Sequence, residues 1–401
     1  MTSEWHEVPL RELVGYISKG IAPSYAEEAS ETTIRVLNQK CNRNFRISYG
    51  DSRLHDTLKK KVPPERYVKP DDILINSTGA GTAGRIAQIE DVPSATTIDG
   101  HMTLIRSNGK VTQKFLGYAL KAHQWEVLQL DEGSTGQTEL NRDRLLDEIM
   151  INYPVSFDEQ NAIVGTLESI DRKLIVNEQL NDNLEQQAQS CFQELFVDNA
   201  DPEWATGTIS DLGTVVGGST PSKAKPEYYT ESGIAWITPK DLSINKSKFI
   251  SHGENDITEL GLKNSSAAIM PEGTVLFSSR APIGYIAIAA GEVTTNQGFK
   301  SVVPKPEIGT PFVYFFLKNT LPVIEGMASG STFKEVSGST MKNVPAVIPD
   351  AETLAKFSNF CAPIFVQQRI LEEQNQSLAA LRDNLLPRLM SGEIDVSAVQ
   401  L

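Results

Sequence analysis

Phe115–Gln137 reads FLGYALKAHQWEVLQLDEGSTGQ, and Phe312–Lys334 reads FVYFFLKNTLPVIEGMASGSTFK, a constant 197 positions further on. Both stretches open as an aromatic and aliphatic helical run, and both close on a Gly-Ser-Thr turn. Further matches lie on either side at nearly the same offset. Trp5 and Leu13 answer to Trp204 and Leu212, and Ile34-Arg-Val-Leu to Ile234-Ala-Trp-Ile. Gly84-Arg-Ile-Ala answers to Gly284-Tyr-Ile-Ala, and Thr96-Thr97-x-x-Gly100 to Thr294-Thr295-x-x-Gly298. A period near 200 residues is far too long for a solenoid repeat. It describes a duplicated domain pair that does one thing at two places.

The chain has 401 residues, 40% hydrophobic and 22% charged, so each half is large enough to bury a core of its own. No apolar run approaches the ~20 residues of a bilayer span. The opening Met-Thr-Ser-Glu-Trp-His lacks the basic and apolar regions of a signal peptide. Cys41, Cys191 and Cys361 are too scattered for a disulfide framework or a zinc site. A cytoplasmic protein without a membrane partner is the expectation. The net charge of −14 argues against a polyanionic partner, but its distribution does not. Residues 40–69 carry nine basic groups against three acidic ones, whereas residues 155–198 carry two against nine. Such polarity suits one surface for an anion and another for a different partner. A solvated loop and a solvated helix face would show the same pattern, and residues 221–263 are neutral.

Each half runs in one order: strands and loops, a helical stretch, a Gly-Ser-Thr loop, a Pro-containing strand, then a long helix. Strands are expected at Ile34–Leu37, Asp72–Asn76, Arg85–Ile89 and Thr274–Phe277, with shorter helices over Gln113–Gln129 and Pro311–Ile324. The long helices are expected from about Asp158 to Phe196 and from about Glu352 to Met390. In the first, Ile163, Leu167, Ile170, Leu174 and Leu184 recur at alternating spacings of four and three, with Asn177 and Asn181 at mid-seam. In the second, the seam is Phe357, Ile364, Leu371, Asn375 and Leu378. Buried asparagines at such positions fix register at some cost in stability. About 38 residues make a helix of about 57 Å, which cannot bury a one-sided stripe alone. The duplicated order favours an antiparallel intramolecular pair; an intermolecular coiled coil is the alternative. The expected fold is therefore α+β, with two similar mixed α/β domains separated by two long antiparallel helices forming a coiled coil.

Enzyme signatures are sparse. Gly79-Ala-Gly-Thr-Ala-Gly84 fits G-x-G-x-x-G, but a dinucleotide or methyl-donor site needs a helix to begin there. The chain continues Arg85-Ile-Ala-Gln-Ile-Glu, which alternates like a strand, and the other half keeps only Gly284. It reads as a glycine-rich turn. There is no phosphate-binding G-x-x-x-x-G-K-[ST], no G-x-S-x-G elbow, and no metal-type spacing among the five histidines. Neither a catalytic nor a metal-ligating set is expected.

The long helices carry recognisable text. Tyr153-Pro154 is followed by Phe157-Asp-Glu-Gln-Asn-Ala-Ile163, Leu167, Asp171 and Lys173, ending in Leu195-Phe196. The chain closes with Leu385-Leu-Pro-Arg-Leu-Met-Ser-Gly-Glu-Ile-Asp395-Val. With Gly133-Ser-Thr-Gly-Gln-Thr-Glu-Leu140, this text closely resembles the specificity subunit of type I restriction–modification systems. The resemblance covers essentially the whole chain. It implies a first target-recognition domain over 1–152, a helical spacer over 153–198, a second recognition domain over 199–348 and a second spacer over 349–401. It further implies a non-catalytic subunit whose two domains each read half of a bipartite, asymmetric double-stranded DNA site. The helices would dock two methyltransferase subunits, with motor–nuclease subunits completing the complex. S-adenosylmethionine, ATP and Mg2+ would then reside on those partners and no cofactor on this chain. The second helix departs from the pattern: it begins Asp350-Ala-Glu-Thr-Leu and lacks the Glu-Gln pair, so its docking surface is expected to differ. A duplicated coiled-coil scaffold that joins two proteins without touching DNA is the alternative reading.

Phosphate contacts supply affinity and base contacts supply sequence choice. For the first domain, Arg43, Arg46, Lys59, Lys60 and Lys61 are candidate backbone clamps, although a lysine triplet also fits a solvated loop. Asn76, Ser77 and Thr78, and their counterparts Ser278, Ser279 and Arg280, place hydrogen-bonding side chains at the end of an apolar strand. Arg280 suits a guanine edge and Asn76 an adenine edge; turn capping explains the Asn and Ser equally well. Lys240, Asn296 and Gln297 extend the second set. The Gly-Ser-Thr loops add Ser134, Thr135 and Gln137 in the first half and Ser331, Thr332 and Lys334 in the second, through amides and hydroxyls suited to anions.

Overall fold

The computed structural model describes residues 4–79, 81–132, 139–330 and 334–396. The chain divides into two compact units, Met1–Lys173 with Leu378–Leu401, and Leu174–Ser377. The division falls inside both long helices, so each unit holds one globular domain and a part of each helix.

In the first unit, Trp5–Pro9 pairs antiparallel with Met150–Pro154, the strand that leads into the first long helix. A four-stranded antiparallel sheet runs in the order Val14–Lys19, Met102–Ser107, Ile73–Asn76, Ile86–Gln88. Ile73–Asn76 is buried along its whole length, as a continuous apolar run in a central strand should be. A second sheet is ordered Thr96–Ile98, Thr33–Leu37, Arg53–Asp56, Tyr25–Ala26, its first two strands parallel. The helix Gln113–Ala122 is capped by Thr112, whose hydroxyl accepts from the Phe115 amide at 3.2 Å. It buries Phe115, Leu116, Ala119 and Leu120.

The second unit repeats the order of both main sheets, with one strand added. Ala205–Thr208 pairs with Pro345–Ile348. The larger sheet runs Gly213–Gly217, Lys300–Pro304, Val275–Ser279, Ile283–Ala289, with Phe249–Ile250 added at the edge. The smaller sheet runs Thr294–Thr295, Ile234–Ile237, Asn255–Ile257, Tyr229–Thr230, again with the first two parallel. The duplication therefore extends to topology. One short helix departs from expectation: Gln113–Gln129 is broken at His123 into Gln113–Ala122 and Gln124–Val127. Just past the break the Gln124 side chain accepts from the Ile86 amide at 2.9 Å and donates to the Gly84 carbonyl at 2.8 Å.

The long helices span Phe157–Gln193, ending in one wider π-helical turn over Glu194–Asp198, and Ala351–Met390. They pair antiparallel. In the second unit the Asn177 amide donates to Asn375 Oδ1 at 2.9 Å, Asn181 to Glu372 at 3.2 Å, and Gln368 to the Asn181 carbonyl at 3.4 Å. In the first unit, Ile163 and Leu167 share one core with Leu386 and Leu389. Ile170, Leu174, Asn177 and Leu371 are buried, while Asn181, Leu184, Asn375 and Leu378 are half-buried. The ends of the stripe serve a second purpose that a coiled-coil seam does not predict. Ile163 and Leu167 also pack with Phe115 and Leu116, and Phe357 and Ile364 with Phe312 and Phe315. An amphipathic stripe has the same spacing whether it faces another helix or a globular core.

The glycine segment is a turn. Gly79, Gly81 and Gly84 have φ of +114°, +68° and +83°, and the next element is the strand Ile86–Gln88. At Gly84 an added Cβ would lie 2.8 Å from the Val127 carbonyl, so both backbone shape and space require glycine.

Candidate nucleic-acid interface

The apolar strands that build each sheet end in polar residues, and the structure separates those that face inward from those that face out. Asn76, Ser77, Ser278 and Ser279 have at most 1% of their surface exposed, which corrects their assignment as base-reading groups. Asn76 donates to the Gln39 carbonyl and accepts from Asn42, both at 3.2 Å. The Ser77 hydroxyl lies 2.6 Å from that of Thr103, Ser278 accepts from the Tyr285 amide at 2.8 Å, and Ser279 donates to the Gly298 carbonyl at 3.1 Å. These groups end central strands, where the neighbouring strands cover them; their hydrogen-bonding capacity is spent on the turn.

In the second domain, four segments distant in sequence meet at this strand end. The Ser219 amide donates to the Thr295 carbonyl at 2.8 Å, Ser279 to Gly298 at 2.7 Å, and Val336 to Ser279 at 2.9 Å. Ser329 and Glu335 exchange both backbone hydrogen bonds. This frame brings together the expected Arg280, Asn296, Gln297 and Lys334. It adds three residues that sequence reasoning missed: Thr220, Lys300 and Glu335. Thr220 bonds the Gln297 side chain. Glu335 takes Arg280 at 3.4 Å on one carboxylate oxygen and Lys300 at 3.7 Å on the other. Lys240 is not free, since it pairs with Glu254 at 2.6 Å.

The first domain builds the same frame from different side chains. The Ser77 amide donates to the His101 carbonyl and the Leu140 amide to the Ser77 carbonyl, each at 2.8 Å. Thr78 hydrogen-bonds His101 Nδ1 at 2.7 Å, and its backbone bridges to Glu139. Glu139 forms an ion pair with Lys19. Lys19, His101 and Glu139 were also missed. A signal was present: Glu139 and Glu335 both follow a Gly-Ser-Thr stretch by a few residues and sit 196 positions apart. The basic candidates stand apart from these hydrogen bonds. Arg43, Lys59 and Lys61 are exposed and Arg46 half-buried; Lys60 donates to the Ala22 carbonyl at 2.9 Å, and Lys59 is 3.8 Å from Asp56. Ser134, Thr135, Gln137, Ser331 and Thr332 lie outside the described residues.

Each globular domain is clamped to the helices of its own unit by a buried ionic cluster. In the first, Asp171 accepts from Tyr118 at 2.9 Å, and from Lys121 and Arg382 at 3.1 Å. Burial alone would raise the Asp171 carboxyl, but the Lys121 ammonium and these hydrogen bonds hold it below its ordinary value. In the second, Glu185 accepts from Lys248 and Lys318 at 2.6 Å, and from Tyr314 and Gln368 at 3.3 Å. The pair pulls in opposite senses. Burial pushes the Lys248 ammonium below its ordinary value despite Glu185, while two cations overcome burial and hold Glu185 low. Tyr118 and Lys121 answer to Tyr314 and Lys318 at offsets of 196 and 197, so the domain side of the clamp belongs to the duplication, whereas both carboxylates, Asp171 and Glu185, come from the first long helix.

Among the described residues no cluster of His, Cys, Asp or Glu could hold a metal ion, and no helix is long and apolar enough to cross a membrane. A family model described as "Type I restriction modification DNA specificity domain" matches residues 2–186 and again 202–382. The chain is similar to the type I restriction enzyme MjaIX specificity subunit of Methanocaldococcus jannaschii, 41% identical over 169 residues, covering 42% of this chain and 39% of that protein. It is similar to the HindI specificity subunit of Haemophilus influenzae, 28% identical over 194 residues, covering 48% and 42%. In both matches the chain spans about two-fifths of the relative's length. A crystal structure of a type I restriction-modification S subunit from M. genitalium shares the fold, with a TM-score of 0.61 at 18% identity over 97% of this chain and 96% of that one.

Proposed function

The chain belongs to the type I restriction-modification DNA specificity family, and on that premise we propose that it is the sequence-specific DNA-binding specificity subunit of a methyltransferase and endonuclease complex. Each globular domain reads one half of a bipartite target, and the paired helices dock two methyltransferase subunits. The observation that carries this reading is the pair of equivalent strand-end sites. One frame, built twice, presents Thr78, His101 and the Lys19–Glu139 pair in one half, and Thr220, Gln297 and the Arg280, Lys300 and Glu335 group in the other. Corresponding backbone hydrogen bonds that carry different donors and acceptors are what two reading heads for two different half-sites require.

The subunit is non-catalytic in this reading and works in the cytoplasm. The methyl donor, ATP and Mg2+ belong to the methyltransferase and motor–nuclease partners. The glycine turn at Gly79–Gly84 does not fit the methyl donor, because a strand rather than a helix N-terminus follows it. Single-molecule sequencing for N6-methyladenine, with and without this gene in a host carrying the methyltransferase, tests the proposal. Loss of one split, asymmetric motif is the expected result. Unchanged methylation in that host would overturn it.

A further inference from the structure

We infer that Glu335 and Glu139 are positioning residues for base reading, each holding the cations of its own domain at the strand-end site. The inference rests on the proposed function and names how its site is set. In both halves a glutamate next to a buried residue that bonds the central strand's end, Glu335 beside Val336 and Glu139 beside Leu140, is fixed by backbone hydrogen bonds to the neighbouring segments. Both carboxylates point at cations from other segments: Arg280 and Lys300 in one case, Lys19 in the other.

A purely structural role is poorly served by this arrangement. The side chains of Arg280 and Glu335 are 39% and 38% exposed, and that of Glu139 is 56% exposed, so the pairs are screened by water. Among the described residues, Arg280 gives only one nitrogen to Glu335, at 3.4 Å. The rest of its planar fork is left for a second acceptor, and the paired O6 and N7 of guanine match that fork. A carboxylate alongside also opposes capture of the guanidinium by a backbone phosphate, which would bind without reading sequence. Lys300, only 16% exposed and also within 3.3 Å of the Gln297 carbonyl, is braced behind the same carboxylate. In the first domain Glu139 restrains a single ammonium, which accepts a wider range of acceptor geometries than a guanidinium. One carboxylate position thus carries different cations in the two heads.

The experiment uses the full chain co-expressed with its methyltransferase, and reads the methylated motif and its occupancy across the genome. The wild-type chain first establishes the split motif; its absence refutes the proposed function rather than this inference. With E335Q, methylation should spread to sites altered in one half of the motif, with discrimination there falling about tenfold or more. The other half-site should stay intact as an internal control for folding and assembly. E139Q should relax the opposite half. The conservative E335D, which keeps the carboxylate, should retain most of the discrimination. Unchanged motifs in E335Q and E139Q overturn the inference. Loss of both halves together in E335Q and E335D also overturns it, because that outcome assigns the carboxylate a structural role.

Discussion

Replacing Glu185 by glutamine should destabilise the second unit by about 3 kcal/mol at neutral pH, more than removing the lysine it pairs with. The Lys248 side chain is 5% exposed and has two oxygen partners, Glu185 at 2.6 Å and Gln368 at 2.7 Å. The rings of Phe365, Tyr314 and Phe315 lie 3.8, 4.6 and 5.1 Å from its nitrogen. Leaving a buried charge without its counter-ion costs about 3–5 kcal/mol. An upper bound follows from the escape route. Deprotonating an amine with an ordinary pKa of 10.5 at pH 7 costs about 5 kcal/mol, and burial has already lowered that barrier. The three aromatic faces remain and each offsets a part of the loss. K248M behaves differently, because Glu185 keeps Lys318 at 2.6 Å and the methionine fills an apolar cage. Its cost should be about 1 kcal/mol or less, and E185Q/K248M should resemble K248M.

Urea unfolding followed by the fluorescence of Trp204 and Trp236, both in this unit, measures all three variants. The pH dependence adds a sign. Glu185 is held below its ordinary value of 4.5, so its contribution is complete above that pH and is lost as pH falls through the lowered folded value. The gap between wild type and E185Q should therefore close on acidification. Glu372, raised by burial, contributes with the opposite sign but is present in both proteins and cancels. An E185Q cost below about 1 kcal/mol, or a K248M cost equal to it, would refute the reasoning.

The clamp in the first unit should respond in kind. D171N leaves Lys121 and Arg382, 10% and 18% exposed, without their shared acceptor, at a cost of about 3 kcal/mol. Amide hydrogen exchange should then accelerate over Gln113–Ala122, and unchanged protection there would count against the clamp. Replacing Lys59, Lys60 and Lys61 by glutamine should reduce the slope of log affinity against log salt by about 2 in the assembled complex. The estimate is about one per phosphate contact with Lys60 discounted for its bond to Ala22; an unchanged slope would remove the triplet from the interface. In the glycine turn, G84A should cost more than G81A. Both carry the penalty of about 1–2 kcal/mol for a left-handed backbone, but only Gly84 has a carbonyl 2.8 Å from the added Cβ. Equal shifts in Tm would mean that backbone conformation alone sets the requirement.

The duplication, the two long helices and the glycine turn are legible in local sequence. Periodicity is a local property: alternating spacings of four and three placed Ile163 to Leu184 on one face, and the helix starts fell within a residue of Phe157 and Ala351. The turn was legible because alternation after Gly84 excluded a helix there. Which polar groups at the strand ends remain accessible follows instead from how the strands pack. Asn76 and Arg280 look alike in sequence, each a hydrogen-bonding residue after an apolar run. Asn76 ends a strand covered on both sides and is fully buried, whereas Arg280 lies past the last covered position and meets Glu335. The same holds for the cage of Lys248, assembled from segments around Glu185, Tyr314, Phe365 and Gln368. Helical faces follow from neighbours three and four residues away. Burial of a strand end and pairing of a charge depend on contacts between segments tens to hundreds of residues apart, and no local pattern encodes those.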